Sequence, residues 1–361
     1  MEVIAFYLPQ YHVIPENNKW WGEGYTEWKN VKSARPLYAG HYQPRVPLND
    51  NYYDLSDTNV MIKQAELAKK YGVTGFAYYH YWFDGKKLLE KPVENMLHTP
   101  EIDMPYCLVW ANEEWKKYWY GQGEEILINQ NYGSRKNWEE HFQYLLPYFM
   151  DDRYIRIEGR PVFIVYRPGV MRQGKQMMAC WNKLARQNGL PGIYVIGMKN
   201  WEFETKACVW LNAMVDYEPT KEQRMKIMKR RIYDQMKLRA MFDFGFWNRI
   251  TCDVHSYSHI NRIMLKTPHA ENELRGVFVD FDNTARSKKN GLIFYGSTPK
   301  SFKKYFSQHV RLSKEEGKNY IFVNAWNEWG EGCYLEPDEK FKYGYLEAIR
   351  EALKENGEWN G

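Results

Sequence analysis

The sequence predicts a single (β/α)8 barrel with extended βα loops, in the α/β class, covering residues 1–361 as one domain. Three observations carry this. Eight short β-rich apolar runs recur along the chain, most of them separated by helical patterns. The runs are apolar nearly throughout instead of alternating, as expected of parallel strands buried on both faces beneath helices. No Gly-x-Gly-x-x-Gly follows the first run, which counts against the open, doubly wound sheet.

The runs are VIAFYL (3–8), VTGFAYY (73–79), PYCLVW (105–110), PVFIVY (161–166), IYVIGM (193–198), AMVDY (213–217), GVFVDF (276–281) and YIFVNA (320–325). Helices are expected at 58–71, stopped by Gly72, and at 134–150, opened by Ser134 with Trp138, Phe142, Leu145 and Leu146 at helical spacing. Others are expected at 175–188 before Gly189, at 298–316 between Thr298-Pro299 and Gly317, and at 341–355.

Composition narrows the function. Aromatic residues make up 17% of the chain, with 29 Tyr and 15 Trp, and many fall near strand ends. Flat rings beside acids and amides suit sugars, whose ring faces are apolar and whose edges are hydroxyls; they equally suit a buried interface. A net charge of +5 does not indicate a nucleic-acid partner. Five cysteines without a Cys-x-x-Cys pair point to a reduced compartment and not to zinc. The opening MEVIAFYLPQYH shows no signal peptide, so a cytoplasmic location is expected. No cofactor and no metal ion are implied.

A barrel places its chemistry at the carboxyl ends of its strands. Tyr7, Gln10, Tyr11 and His12 follow the first strand, and Tyr79, His80, Tyr81 and Trp82 the second. Trp110, Asn112, Glu113 and Trp115 follow the third, Arg167 the fourth, Asp216 and Tyr217 the sixth, and Asp280 the seventh. His12 and His80 are read as hydrogen-bonding to sugar hydroxyls, since no HxH or HExxH spacing supports a metal site. Asn112 and Glu113 form an amide–acid pair able to hold adjacent hydroxyls, or else a loop clamp. Trp20, Trp21, Glu27 and Trp28 lie in a long loop that reads as a substrate wall or as plain packing.

The eighth strand runs into NAWNEWGEGCYLEP (324–337), where Trp326 precedes Glu328 and Glu331. Two nearby carboxyl groups in a partly apolar site repel, so one keeps its proton near neutral pH. One group can then protonate a leaving oxygen while the other serves as nucleophile or base.

FYLPQYHVIPENNKWWGEGYTEW, FAYYHYWFDGKKLLEKPVENML, LVWANEEW and NAWNEWGEGCYLEP together resemble bacterial WbsX-type proteins from the first strand to about residue 338. Through its WNEW-x-E segment the chain also resembles glycoside hydrolase family 99, the endo-α-mannosidase type. The resemblance implies a (β/α)8 barrel, no required cofactor and an acid/base pair in the last motif. Glu328 would act as base toward the sugar 2-hydroxyl, giving retention through a 1,2-anhydro sugar. Glu331 would act as general acid/base on the glycosidic oxygen, with Asn327 as a sugar-hydroxyl ligand. Gly330 stands where that family usually carries His. WbsX-type proteins are associated with O-antigen and capsule assembly. The implied substrate is therefore a bacterial oligosaccharide or polysaccharide, cleaved by a retaining hydrolase or moved by a transferase; a non-catalytic glycan-binding protein is the remaining alternative.

Residues 221–240, KEQRMKIMKRRIYDQMKLRA, read as one basic helix with Met225, Met228, Ile232 and Met236 roughly on one face. It is either a solvated barrel helix or a contact for a lipid-linked glycan or membrane surface.

Overall fold

The computed structural model describes residues 1–119, 123–200, 208–217, 219–229, 231–242 and 252–359. Its centre is a closed barrel of eight parallel strands: β1 (Glu2–Tyr7), β2 (Gly75–Phe83), β3 (Tyr106–Trp110), β4 (Arg160–Val165), β5 (Tyr194–Lys199), β6 (Ala213–Asp216), β7 (Glu273–Phe278) and β8 (Tyr320–Asn324). Each strand pairs with the next in chain order, and β8 returns to β1 in the register Ala5 to Val323. The predicted (β/α)8 barrel is therefore the observed architecture.

Apolar runs become strands here because both faces are covered. In β2 every residue is buried, and β3, β4 and β8 are buried over nearly their whole length. The expected helices form at Thr58–Lys70, Arg135–Met150, Gly174–Gln187, Pro299–Glu315 and Gly344–Glu355. Their ends follow local chemistry. Asp57 accepts from the Asn59 N–H, and Ser134 and Asn137 form a reciprocal box at the helix start.

Some elements differ from expectation. The basic segment is two helices, Lys221–Met228 and Arg231–Phe242. The break falls at the Lys229-Arg230-Arg231 run, and the second helix begins where Arg231 pairs with Asp253 at 3.0 Å. No Gly or Pro marks it; tertiary contact sets it. A hairpin, Trp115–Trp119 with Gly123–Ile128, rises from the loop after β3. A two-stranded parallel ribbon, Asp253–Ser256 with Leu292–Tyr295, lies outside the barrel. Among the described residues no helix is long and apolar enough to cross a membrane. The five cysteines are free.

Candidate active site

The last motif folds into a very small hairpin beyond β8. Asn327–Glu328 pairs antiparallel with Cys333–Tyr334, and Trp329–Glu331 forms one 3-10 turn between them. In such a turn residues i and i+3 stand one above the other, so Glu328 and Glu331 present their carboxyl groups on the same side. Gly332 closes the turn at φ 61, a left-handed conformation that glycine adopts without steric cost.

The turn is held from behind. Asn327 accepts the Leu8 N–H at 2.7 Å and donates to the Leu8 carbonyl at 3.0 Å, tying the motif to the end of β1. The Tyr11 hydroxyl donates to the Asn327 carbonyl at 2.6 Å and accepts the Trp329 N–H at 3.2 Å. The Trp329 ring stacks on Tyr334 with centroids 3.7 Å apart, and its indole N–H donates to Glu336 at 2.7 Å.

In front of the turn sits Arg286, carried by the short helix Thr284–Ser287 after β7. One guanidinium reaches three acids: Nε to Glu27 at 2.7 Å, Nη1 to Glu331 at 2.9 Å and Nη2 to Glu328 at 2.5 Å. Three carboxylates on one cation cannot all ionise cheaply in a buried setting. Burial is the largest influence on Glu328 and raises it to about 8, with Glu331 and Glu27 adding to the rise and Arg286 opposing it. Burial likewise raises Glu331, again opposed by Arg286. The Glu328 side chain is 6% exposed and that of Glu331 23%, so Glu328 is the deeper group. At neutral pH the cluster retains a proton.

Gly330 explains how this packing is reached. A Cβ there would lie 2.0 Å from a Glu27 carboxylate oxygen and 2.7 Å from Arg286 Nε. The space a side chain would need is filled by the Glu27–Arg286 pair. Gly330→Ala is therefore expected to push Glu27 off Arg286 and to lower turnover while the barrel stays folded. Steady-state rates beside a far-ultraviolet dichroism spectrum check this, and an unchanged rate would show that the pair does not matter.

The two glutamates open into a cleft of about 570 Å3 lined by Leu8, Gln10, Trp21, Tyr25, Asn30, Tyr79, Tyr81, Glu113, Trp115, Tyr166 and Tyr217, besides Glu27 and Arg286. An adjoining space of about 550 Å3 shares Gln10, Trp21, Tyr25, Glu113, Trp115 and Lys116 and adds Arg167 and Asn17. Together they form an extended groove with aromatic walls and acids at its floor. Burial raises Glu113, against the opposing charge of Arg167 at 3.5 Å.

Of the residues singled out in the sequence, Glu328, Glu331 and Glu113 line this cleft. The others lie behind it. Successive residues of a strand face opposite ways. Along β2, Tyr79 and Tyr81 face the cleft, whereas His80 faces the helix layer and meets His141 at 2.9 Å. Burial lowers both imidazoles, that of His80 to about 3, so this pair stays neutral. Trp110 packs on the same His141 and donates to the Trp82 carbonyl. Tyr7 donates to Gln64 of the helix Thr58–Lys70. Asn112 is fully buried and clamps Arg167 through its backbone N–H at 2.7 Å and carbonyl at 2.9 Å, the loop-clamp alternative. His12 is buried against the Pro9 carbonyl. Trp28 donates to the Tyr53 carbonyl, and Trp326 packs on Phe76. Asp280 pairs with Arg45 at 2.9 Å beside a separate cavity of about 260 Å3. Asn327 and Tyr11 brace the turn from behind. These side chains do not face the cleft, so their contribution is to the shape of the site. Arg286 went unread in the sequence, because nothing in DFDNTARS marks an arginine that folds back across three acids. Among the described residues no group of three or more His, Cys, Asp and Glu is arranged to hold a metal ion.

The family profile described as Glycosyltransferase WbsX matches residues 3–349. The chain belongs to the WbsX family. It thus falls in a family of carbohydrate-active enzymes. The chain is 35% identical over 355 residues to the uncharacterized protein WxcX of Xanthomonas campestris pv. campestris strain B100, and equally to that of strain ATCC 33913. Those alignments cover 97% of this chain and 49% of each relative, so this WbsX chain spans about half their length. In three dimensions it is similar to the GH99 endo-α-mannosidase from Bacteroides thetaiotaomicron, with a TM-score of 0.55 at 17% identity, covering 98% of this chain and 96% of that one. A chain described as a glycoside hydrolase-like protein gives the same TM-score at 12% identity, covering 97% and 93%. At these identities the likeness is one of fold.

Behind the site, Glu336 accepts from Trp329, Tyr53 and Gln64 and is raised to about 7, chiefly by burial. The folded protein thus holds a proton that the unfolded chain releases near 4.5. Stability contributed by this group falls as pH rises from about 4.5 to about 7 and is level above, a loss of about 3 kcal/mol. Replacing Glu336 with Gln should flatten that slope, as thermal unfolding across this pH range would show; parallel wild-type and variant slopes would contradict it.

Proposed function

We propose that this WbsX chain processes glycosidic bonds of a bacterial surface polysaccharide or oligosaccharide, with retention, at Glu328 and Glu331. The observation that carries the reading is the pair of carboxyl groups on one 3-10 turn, joined by Arg286 at the floor of an aromatic-walled groove. In the proposed reaction, Glu328 removes the proton of the sugar 2-hydroxyl and O2 attacks C1. Glu331 gives its proton to the departing glycosidic oxygen, leaving a 1,2-anhydro sugar. An incoming hydroxyl then attacks C1, losing its proton to Glu331, while O2 regains a proton from Glu328. Water as the incoming group gives hydrolysis, and a sugar hydroxyl gives transfer.

Hydrolysis is the first reading. Transfer is favoured by the adjoining second space, which has room for an acceptor saccharide, and by the family's description as glycosyltransferases. A further part of the proposal is that the glycan is carried on a lipid. The test is to incubate the protein with surface polysaccharide and α-linked oligosaccharides, with and without a sugar acceptor, and to follow products by mass spectrometry. New reducing ends without acceptor would establish hydrolysis. Chain extension only with acceptor would establish transfer. Binding without either product would leave a glycan-binding protein and reject catalysis.

A further inference from the structure

Charge in this chain is not spread evenly. Residues 221–242 contain eight Lys or Arg (221, 224, 226, 229, 230, 231, 237 and 239) and two acids (222 and 234), a local balance of +6. The whole chain carries +5, so the remainder sums to about −1. One surface segment therefore holds the entire positive excess.

The same segment carries the wrong polarity for a solvated face. Gln223, Ile227 and Asp234 point inward and are buried. Met225 is 63% exposed, Ile232 75% and Met236 63%, with Met228 also exposed. Lys226, Lys229 and Lys237 stand exposed among them. An isolated exposed apolar residue is ordinary, but four along one pair of surface helices call for a covering partner. Apolar side chains interleaved with lysines are what an interfacial helix offers to a bilayer: the apolar groups enter the acyl boundary and the cations meet anionic headgroups. Methionine suits this because its flexible thioether adapts to an irregular medium.

Position adds a consequence. The segment starts four residues after Tyr217, which lines the cleft at the carboxyl end of β6. It therefore lies at the end of the barrel where the groove opens.

We infer that the helices Lys221–Met228 and Arg231–Phe242 dock this protein on an anionic membrane surface, bringing the cleft to a glycan carried on a lipid. The docking itself stands apart from the proposed chemistry; only the lipid-carried substrate rests on it.

Cosedimentation with phosphatidylglycerol-containing vesicles, beside pure phosphatidylcholine vesicles, tests the inference. The full-length protein should bind the anionic vesicles, bind the neutral ones at least tenfold more weakly, and lose affinity as salt is raised. Ile232→Glu with Met236→Glu should abolish binding at low salt, with dichroism unchanged. Lys226→Glu with Lys229→Glu should reduce it roughly tenfold or more. Binding unaffected by both pairs of substitutions, or none to anionic vesicles, would overturn the inference. So would sedimentation as a dimer that Ile232→Glu dissolves, since the face would then pair with a second copy. Because vesicle binding is read without any turnover, its failure is distinct from failure of the proposed reaction. Should both hold, the Ile232→Glu/Met236→Glu variant will process free glycan normally and lipid-linked glycan poorly.

Discussion

Glu331→Gln is expected to reduce processing of an unactivated glycan by roughly a hundred- to ten-thousand-fold, the range supplied by one positioned proton donor. Affinity should change little, because the amide keeps the shape and a hydrogen-bonding edge. The assignment has a sharper consequence. A substrate whose leaving group departs without protonation, such as a nitrophenyl glycoside, bypasses the missing acid in the first step. Glu331→Gln should therefore be impaired far less on that substrate than on the natural linkage. Glu328→Gln should be impaired on both, since the 2-hydroxyl must lose its proton whatever departs. Equal losses for the two variants on both substrates would show that the roles are not divided in this way.

Arg286→Gln should have the second largest effect, and it acts on pH dependence. The guanidinium opposes the rise of both Glu328 and Glu331. Removing it raises both further. With Glu328 at about 8, the wild-type enzyme has to ionise an acid that prefers its proton while Glu331 keeps one. The rate is then carried by a minor protonation state, and kcat/KM should follow a bell whose limbs belong to the coupled pair. In the variant the bell should move to higher pH and fall in height. Arg286→Lys keeps the charge but not the three-pronged geometry, and should restore much of the position of the bell with less of its height. A buried acid cluster without its cation also loses stability, by about 3–5 kcal/mol. The pair Arg286→Gln with Glu27→Gln removes one acid together with the cation and should recover part of that loss. A pH profile superimposable on the wild type would show that Arg286 is only packing.

The barrel was readable because its signals are local. A run such as PVFIVY, bounded by helix stops and starts, leaves little choice but a strand buried on both faces. The acid pair was readable for the same reason: three residues of spacing and a following glycine confine Glu328 and Glu331 to one turn. Strand parity was harder. Tyr79, His80 and Tyr81 look alike as strand-end polar aromatics, yet only the first and third face the groove. A one-residue shift in the register decides which, and that register is set by neighbouring strands. Hardest of all was Arg286, 42 residues from Glu328 and 259 from Glu27. Its place depends on where three separate loops close, and no local pattern records that. The same holds for the break at residues 229–230, which follows a contact with Asp253 and not a helix-breaking residue.

The bond between Asn327 and Leu8 joins residues 319 positions apart. The polypeptide is made from one end, at about 5–20 residues per second. Leu8 leaves the ribosome roughly 15–60 s before the amide that will grip it. Until then β1 has a partner only on its β2 side, and its other edge stays open to wrong pairings. The nascent chain therefore cannot act on sugars before most of the protein has been synthesised. Barrel closure and completion of the site become a single late event, and activity recovered during refolding should track closure of the β1–β8 seam.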